Sequence, residues 1–249
     1  MNATPKDWRF YLKTRKQQKF NAVQWIAAQW LGSPWGDLNR RQAYSGYDRI
    51  KLDPIFFKRL DSFVEMTSRA GMLSVPVMMW AIDHSIYRSY NPGLVLPEDQ
   101  AIRLGRYMVA RWGAYPVVWI LNGDGDYRGA LAERWVRIGR GVFGGRAHAP
   151  VSLHPGGRIW VQDEFKDEEW LDIIGYQSGH SGDDETVSWL VAGPPSQGWK
   201  KIPPRPQINL EPPYEANLGS EIYEKLNDFV CRRGLYYSLL VTPTCGVTY

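Results

Sequence analysis

The feature that most constrains this chain is a change of period that repeats along its length. Segments with apolar residues at helical spacing alternate with short, continuous apolar runs of strand length. Residues 6–19 read as an amphipathic helix and "FNAVQWI" (20–26) as a buried strand. "PIFFKRLDSFVEMTSRAG" (54–71) sets Phe56, Phe57, Leu60, Phe63, Val64 and Met66 at helical spacing, with Pro54 near its start and Gly71 to end it. The strand "LSVPVMMW" (73–80) follows. The same pairing recurs with a helix at 98–113 and a strand at 116–124, then a helix at 130–144 and a strand at 149–155. Strands at 170–178 and 205–212, helices at 184–193 and 220–240, and a last strand in "CGVTY" (245–249) complete the series.

Strands that carry Val, Ile and Leu on both faces, with helices between them, predict a parallel sheet covered by helices. Seven strands are countable, the first clear element is a helix, and eight strands would close a barrel. The expectation is one domain over residues 1–249: a (β/α)8 barrel lacking its first strand and cut near its eighth. A doubly wound sheet fits less well, because no strand leads into a GxGxxG or a P-loop. No internal repeat, linker or low-complexity run interrupts the pattern.

In a barrel of this kind the chemistry collects where strands end. Those exits carry Gln24 and Trp25, then Trp80 with Asp83 and His84, then Asn122, Asp124 and Asp126. His154 follows, then Gln177 with His180, and finally Glu211 with Tyr214. The strand starts carry Pro, Ala, Gly and Arg of no evident chemical use. Carboxylates, amides, histidines and tryptophans without a nucleotide motif suit carbohydrate chemistry, in which two carboxyl groups flank the scissile bond. Asp124 and Glu211 are the candidate pair, on strands that face each other across a barrel mouth. A gap of about 5–5.5 Å between such carboxyls goes with retention of anomeric configuration, and about 6.5–9.5 Å with inversion.

Each candidate also has a plainer reading. Asp124 and Asp126 in "NGDGDY" can be turn residues, and Asp126 is the more turn-like. Glu211 can be a surface charge, and His154 and His180 can be structural. A zinc site built from His154, His180 and one acid lacks HExxH-type spacing, so no cofactor and no metal is expected.

Composition sharpens this reading at a few points. With 12 Trp and 14 Tyr, the chain has aromatic rings both for a core and for sugar platforms. Trp112, Trp135 and Trp189 fall within helices and are expected in the core; Trp25, Trp30, Trp35 and Trp80 lie at or beyond strand ends and are the platform candidates. The net charge of +4 is modest, and the basic residues among the first twenty suit the wet face of a helix, so no nucleic-acid partner is expected. No apolar run reaches the ~18 residues of a membrane span, so no membrane partner is expected either. The first residues lack the apolar stretch of a signal peptide, which in an exported protein would lie upstream. Cys231 and Cys245 are expected to be free, buried thiols.

The segments "YLKTRKQQKFNAVQ", "DPIFFKRLDSFVEMTSRAGM", "WILNGDGD", "SLHPGG", "DIIGYQSGH", "INLEPPYE" and "CGVTY" occur in that order over the whole chain. Together they resemble the apiosidase-like catalytic domain, a bacterial (β/α)8 glycoside hydrolase family formerly known as a domain of unknown function. The resemblance implies an acid/base aspartate after the fourth strand, matching Asp124, and a nucleophilic glutamate after the seventh, matching Glu211. It implies retaining hydrolysis of a glycoside, with apiose-containing pectic side chains as the characterised type of substrate. His154, Gln177 and His180 match positions that look like substrate binders or supports. Two departures stand out: the chain has no counterpart of the family's Asp-Thr-Ala-Trp-like first strand, and it ends at the region where the family continues.

Overall fold

The computed structural model describes residues 2–83, 88–215 and 226–249. His84, one of the candidate residues, lies outside the described residues. The chain divides into two compact units, residues 1–125 with 134–151 and residues 126–133 with 152–249.

In the first unit, α1 (Pro5–Gln17) starts at a capping box in which Thr4 and Asp7 satisfy each other's backbone N–H groups, with Pro5 at the first helical position. β1 (Ala22–Ile26) follows. The expected loop then contains a small antiparallel hairpin, β2 (Tyr44–Ser45) and β3 (Lys51–Leu52), which is too short to show an alternation in the sequence. α2 (Pro54–Arg69) is capped by Asp53, whose carboxylate accepts the N–H groups of Ile55 and Phe56. Gly71, just past its end, adopts the left-handed φ of +69° that favours glycine. β4 (Leu73–Trp80) pairs in parallel with β1 on one side and with β5 (Trp119–Gly125) on the other. Two helices, the short α3 (Pro92–Val95) and α4 (Glu98–Trp112), lie between β4 and β5 in the chain. α5 (Ala130–Phe143) follows β5.

α2 and α4 are tied by one carboxylate. Asp61 accepts from Arg111 Nε at 2.7 Å, from Arg111 Nη2 at 2.6 Å and from Trp112 Nε1 at 2.8 Å. Behind β1, Leu12, Val23 and Met72 form a buried cluster with Trp8, Phe20 and Trp25 packed against it.

The second unit continues the chain from Ser152 within β6 (Val151–Pro155) and carries a parallel sheet of order β7 (Ile174–Gln177), β8 (Gln207–Glu211), β9 (Thr244–Val247). A bridge from Ser152 to Ile173 sets β6 beside the approach to β7. α6 (Asp184–Ala192) is capped by Asp183, and α7 (Pro194–Gly198) follows directly. α8 (Asp228–Leu240) begins at an Asn227 cap, so the described part of the helix expected over 220–240 is shorter at its start. β7 is also shorter than the expected 170–178. Trp170 is buried and its indole donates to Glu168 Oε2 at 2.7 Å, which anchors a loop where the apolar run looked like strand. Both cysteines are free, as expected, but only Cys231 is buried; Cys245 lies exposed on β9. No helix among the described residues is long and apolar enough to cross a membrane.

Asp61→Ala removes three charge-assisted bonds that join α2 to α4. It is expected to lower unfolding stability by about 1–3 kcal/mol, measured by urea denaturation against the wild type.

Candidate active site

The second unit brings five of the candidate residues together. Glu211 ends β8 with its side chain 23% exposed, facing two imidazoles. His180 Nε2 lies 2.9 Å from Glu211 Oε1, and the fully buried His154 presents Nε2 to Oε2 at 3.3 Å. Gln177 Nε2 is 3.0 Å from the same His180 nitrogen. A His180 Nε2 that donates to Glu211 calls for the carbonyl end of the Gln177 amide on that side. The other end of that amide and His180 Nδ1 are then buried polar atoms without a partner among the described residues. Tyr214 sets its ring edge-on to His180, centroids 4.9 Å apart, and remains 40% exposed.

The electrostatics follow from this geometry. Burial pushes the Glu211 carboxyl up, but hydrogen bonds from His154 and His180, with the attraction of their charge, outweigh it and hold the group at about 2. Glu211 is therefore an ionised carboxylate at any ordinary working pH.

A bulge aims it. In the parallel ladder Tyr176 partners Asn209 and Gln177 partners Glu211, so Leu210 is an extra residue on β8. In an unbroken strand, residues 209 and 211 would share a face. Here Asn209 stays on the face of Tyr176, donating from Nδ2 to Ser178 Oγ and Ser238 Oγ, both at 2.9 Å. The bulge gives Glu211 the face of Gln177 instead. Asn209 also accepts the Glu211 backbone N–H at 3.3 Å, so it positions the carboxylate without touching its oxygens. Beyond Glu211, Pro212 and Pro213 are buried, and the Pro213 ring sits against Gly234 of α8, where an added Cβ would meet it at 3.0 Å. Asn209, Ser178 and Ser238 escape a reading of strand exits, because the bulge that separates their roles leaves no mark on the hydrophobic pattern.

Asp126 also belongs to this unit. Its carboxylate is gripped by the Arg128 guanidinium through Nε and Nη2, each at 2.8 Å, and accepts the Arg128 N–H at 3.1 Å. The hydrogen bond from Arg128 holds its pKa below the usual carboxylate value. This is the turn-like placement weighed for it in the sequence.

The other candidates lie in the first unit. Asp124, near the end of β5, holds a φ of +53°, a left-handed conformation that is uncommon for a residue with a side chain and concentrates at functional sites. Asn122, two residues earlier, is fully buried. Trp80, at the end of β4, is 7% exposed and packs edge-on against Trp30 at 5.0 Å. Gly123 makes that packing feasible, since a Cβ there would meet the Trp80 ring at 2.3 Å. Gln24 and Trp25 are neighbours on β1 and point to opposite faces. Trp25 points to the helix side, hydrogen-bonded to Ser74 Oγ at 2.8 Å and packed against Trp112 at 5.5 Å, so its placement is that of a packing residue. Gln24 faces the other way, with a buried Oε1 that has no partner among the described residues. Asp83 pairs with Arg88 at 2.9 Å.

A family model described as the apiosidase-like catalytic domain matches residues 1–249. The chain belongs to that family. No curated protein matches it in sequence. Among solved structures, a family 5 glycoside hydrolase from Bacteroides vulgatus ATCC 8482 superposes with a TM-score of 0.82 at 20% identity, over 100% of this chain and 55% of its own. A second glycoside hydrolase gives 0.80 at 19% identity, over 100% of this chain and 58% of its own. A family 113 β-1,4-mannanase gives 0.61 at 11% identity, over 97% and 80%. The chain thus spans little more than half the length of the first two, 55% and 58%. The expected fold is what these likenesses show: parallel strands and helices of the (β/α)8 glycoside hydrolase type.

One outcome is expected from these contacts. His180→Ala removes a donor to an ionised acid, and should raise the pH at which the Glu211 carboxyl titrates by about one to two units, read from its carboxyl carbon shift by NMR.

Proposed function

We propose that this chain is the catalytic domain of a retaining glycoside hydrolase, with Glu211 as nucleophile and Asp124 as general acid and base. The observation that carries the reading is the pair of histidine donors on Glu211. A nucleophile must be ionised before substrate arrives, and a carboxyl held at about 2 meets that requirement; a general acid must be protonated, and Glu211 does not suit that role. The left-handed backbone at Asp124 supports its selection as the partner carboxyl.

In the first step a Glu211 oxygen attacks the anomeric carbon, the bond to the leaving oxygen breaks, and Asp124 gives that oxygen its proton. In the second, Asp124 takes a proton from water as the water oxygen attacks the same carbon, and the Glu211 ester bond breaks. Two inversions at one carbon give net retention. The histidine donors hold Glu211 oriented before attack and take up its charge when it leaves. The partnerless ends of Gln177 and His180 suit sugar hydroxyls, since buried polar atoms carry a cost until they are paired. Membership of the apiosidase-like family favours side-chain glycosides of plant or microbial polysaccharides, apiose-bearing pectic chains first, as substrate.

The test is a panel of aryl glycosides with proton NMR of the first-formed anomer. The product should retain the substrate's configuration. Glu211→Ala should lower turnover by about 1,000-fold or more, and added azide should restore release of the aryl group while giving a glycosyl azide of inverted configuration. An inverted product from the wild type, or undiminished turnover in Glu211→Ala, overturns the reading. Sugar binding without turnover in the wild type would make this a binding domain instead.

A further inference from the structure

The first unit contains a second concave site, with a volume of about 380 Å³, formed by the loop between β1 and α2 and the segment around the Arg88–Tyr90 turn. Tyr44, Tyr47 and Tyr90 line it with Gln42, and Val95 and Leu96 give it an apolar side. We propose that this cavity is a carbohydrate subsite that holds one neutral glycosyl residue.

Size comes first: the volume falls within the range of roughly 300–1,000 Å³ typical of small-molecule sites. The lining comes next. It combines aromatic rings, aliphatic side chains, an amide and the hydroxyls of Ser45 and Ser89, which is the mixture that suits a sugar's apolar C–H faces and polar edges. None of the lining residues is charged at neutral pH, and burial raises the Tyr44 hydroxyl further above its ordinary value. Arg134, which donates to the Leu96 carbonyl at 2.7 Å, faces Glu98 at 4.0 Å, so its charge is already matched and a neutral ligand suits the cavity better than a phosphate or a uronate. Gln42 donates one amide hydrogen to Pro34 O at 2.8 Å, and its carbonyl and second hydrogen have no partner among the described residues. Tyr47 is 55% exposed, and the exposed Trp35 meets Tyr90 edge-on at 5.5 Å, so aromatic surface continues to the rim.

The walls are also fixed in advance. Gln29 Oε1 accepts the Ala43 N–H at 3.0 Å, Gln100 Oε1 accepts the Ile50 N–H at 2.9 Å, and Asn91 Oδ1 accepts the Leu31 N–H at 3.0 Å. Three buried amides thus hold a long loop in one shape, which lowers the ordering cost of binding. The choice of a sugar as ligand rests on the glycoside hydrolase reading above.

The test uses the intact chain and four probes in saturation-transfer NMR: methyl β-D-galactopyranoside, methyl α-L-arabinofuranoside and methyl α-L-rhamnopyranoside as neutral glycosides, and D-galacturonic acid as the charged one. At least one neutral glycoside should bind, and bind better than the acid. Its affinity should fall by about tenfold in Tyr47→Ala, the worth of one aromatic contact, and stay unchanged in Glu211→Gln. Because Tyr47 is largely exposed, its truncation leaves the fold intact, and Tyr47→Phe should keep most of the affinity. Failure of all three neutral probes, preference for galacturonic acid, or binding lost in Glu211→Gln but kept in Tyr47→Ala overturns the proposal. A wild type that shows the expected binding pattern yet hydrolyses no aryl glycoside refutes the hydrolase reading and leaves the subsite standing.

Discussion

The constraint on which the second unit depends is a carboxylate taken largely out of water. Such a group is costly to bury unless donors meet both of its oxygens. Here one imidazole faces each oxygen, and the balance of burial against those two donors leaves the acid ionised. Because the folded group titrates at about 2, below its ordinary value of 4.5, its contribution to stability is complete above the ordinary value and disappears as pH falls through the folded one. Three separate chain segments must converge for this: the end of β6 for His154, the turn after β7 for His180, and the end of β8 for Glu211. Asn209 serves that convergence, since its bond to Ser178 fastens the start of the very turn that carries His180.

The first unit solves a related problem with uncharged groups. Its long loop has backbone N–H groups that a sheet does not satisfy, and buried amide side chains accept them. Function is often placed on loops held by a rigid scaffold, and here the loop's own amides supply the rigidity. Charged anchors reinforce it: Asp37 faces Arg59 at 3.6 Å, and Asp53 joins Arg41 at 2.9 Å while also capping α2.

The helices and most strands were legible in the sequence because each has a period, a cap or a terminating residue of known preference. Pro54 and Gly71 mark α2 without help from any contact. Glu211, His154, Gln177 and His180 were legible as strand-exit polar residues, and the structure gathers them around one carboxylate. What was illegible is register. A bulge changes which residue faces inward without changing composition, so the opposed roles of Asn209 and Glu211, two residues apart, do not show in "QINLE". Position at a strand end likewise promoted Trp25, whereas the alternation of a strand sends only one of Gln24 and Trp25 to each side. Asp126 was readable as a turn residue, but the arginine two positions on that grips it is a matter of geometry.

The burial of the tryptophans bears on how this protein can be watched. Trp112, Trp119 and Trp135 are among the largest fully buried side chains, and Trp80 is nearly so. Their emission is set by packed protein and not by solvent, and it shifts when the chain unfolds. Intrinsic fluorescence is accordingly a thermometer of the folded state. A bound sugar would reach it chiefly through Trp35, whose exposed ring stands beside Tyr90.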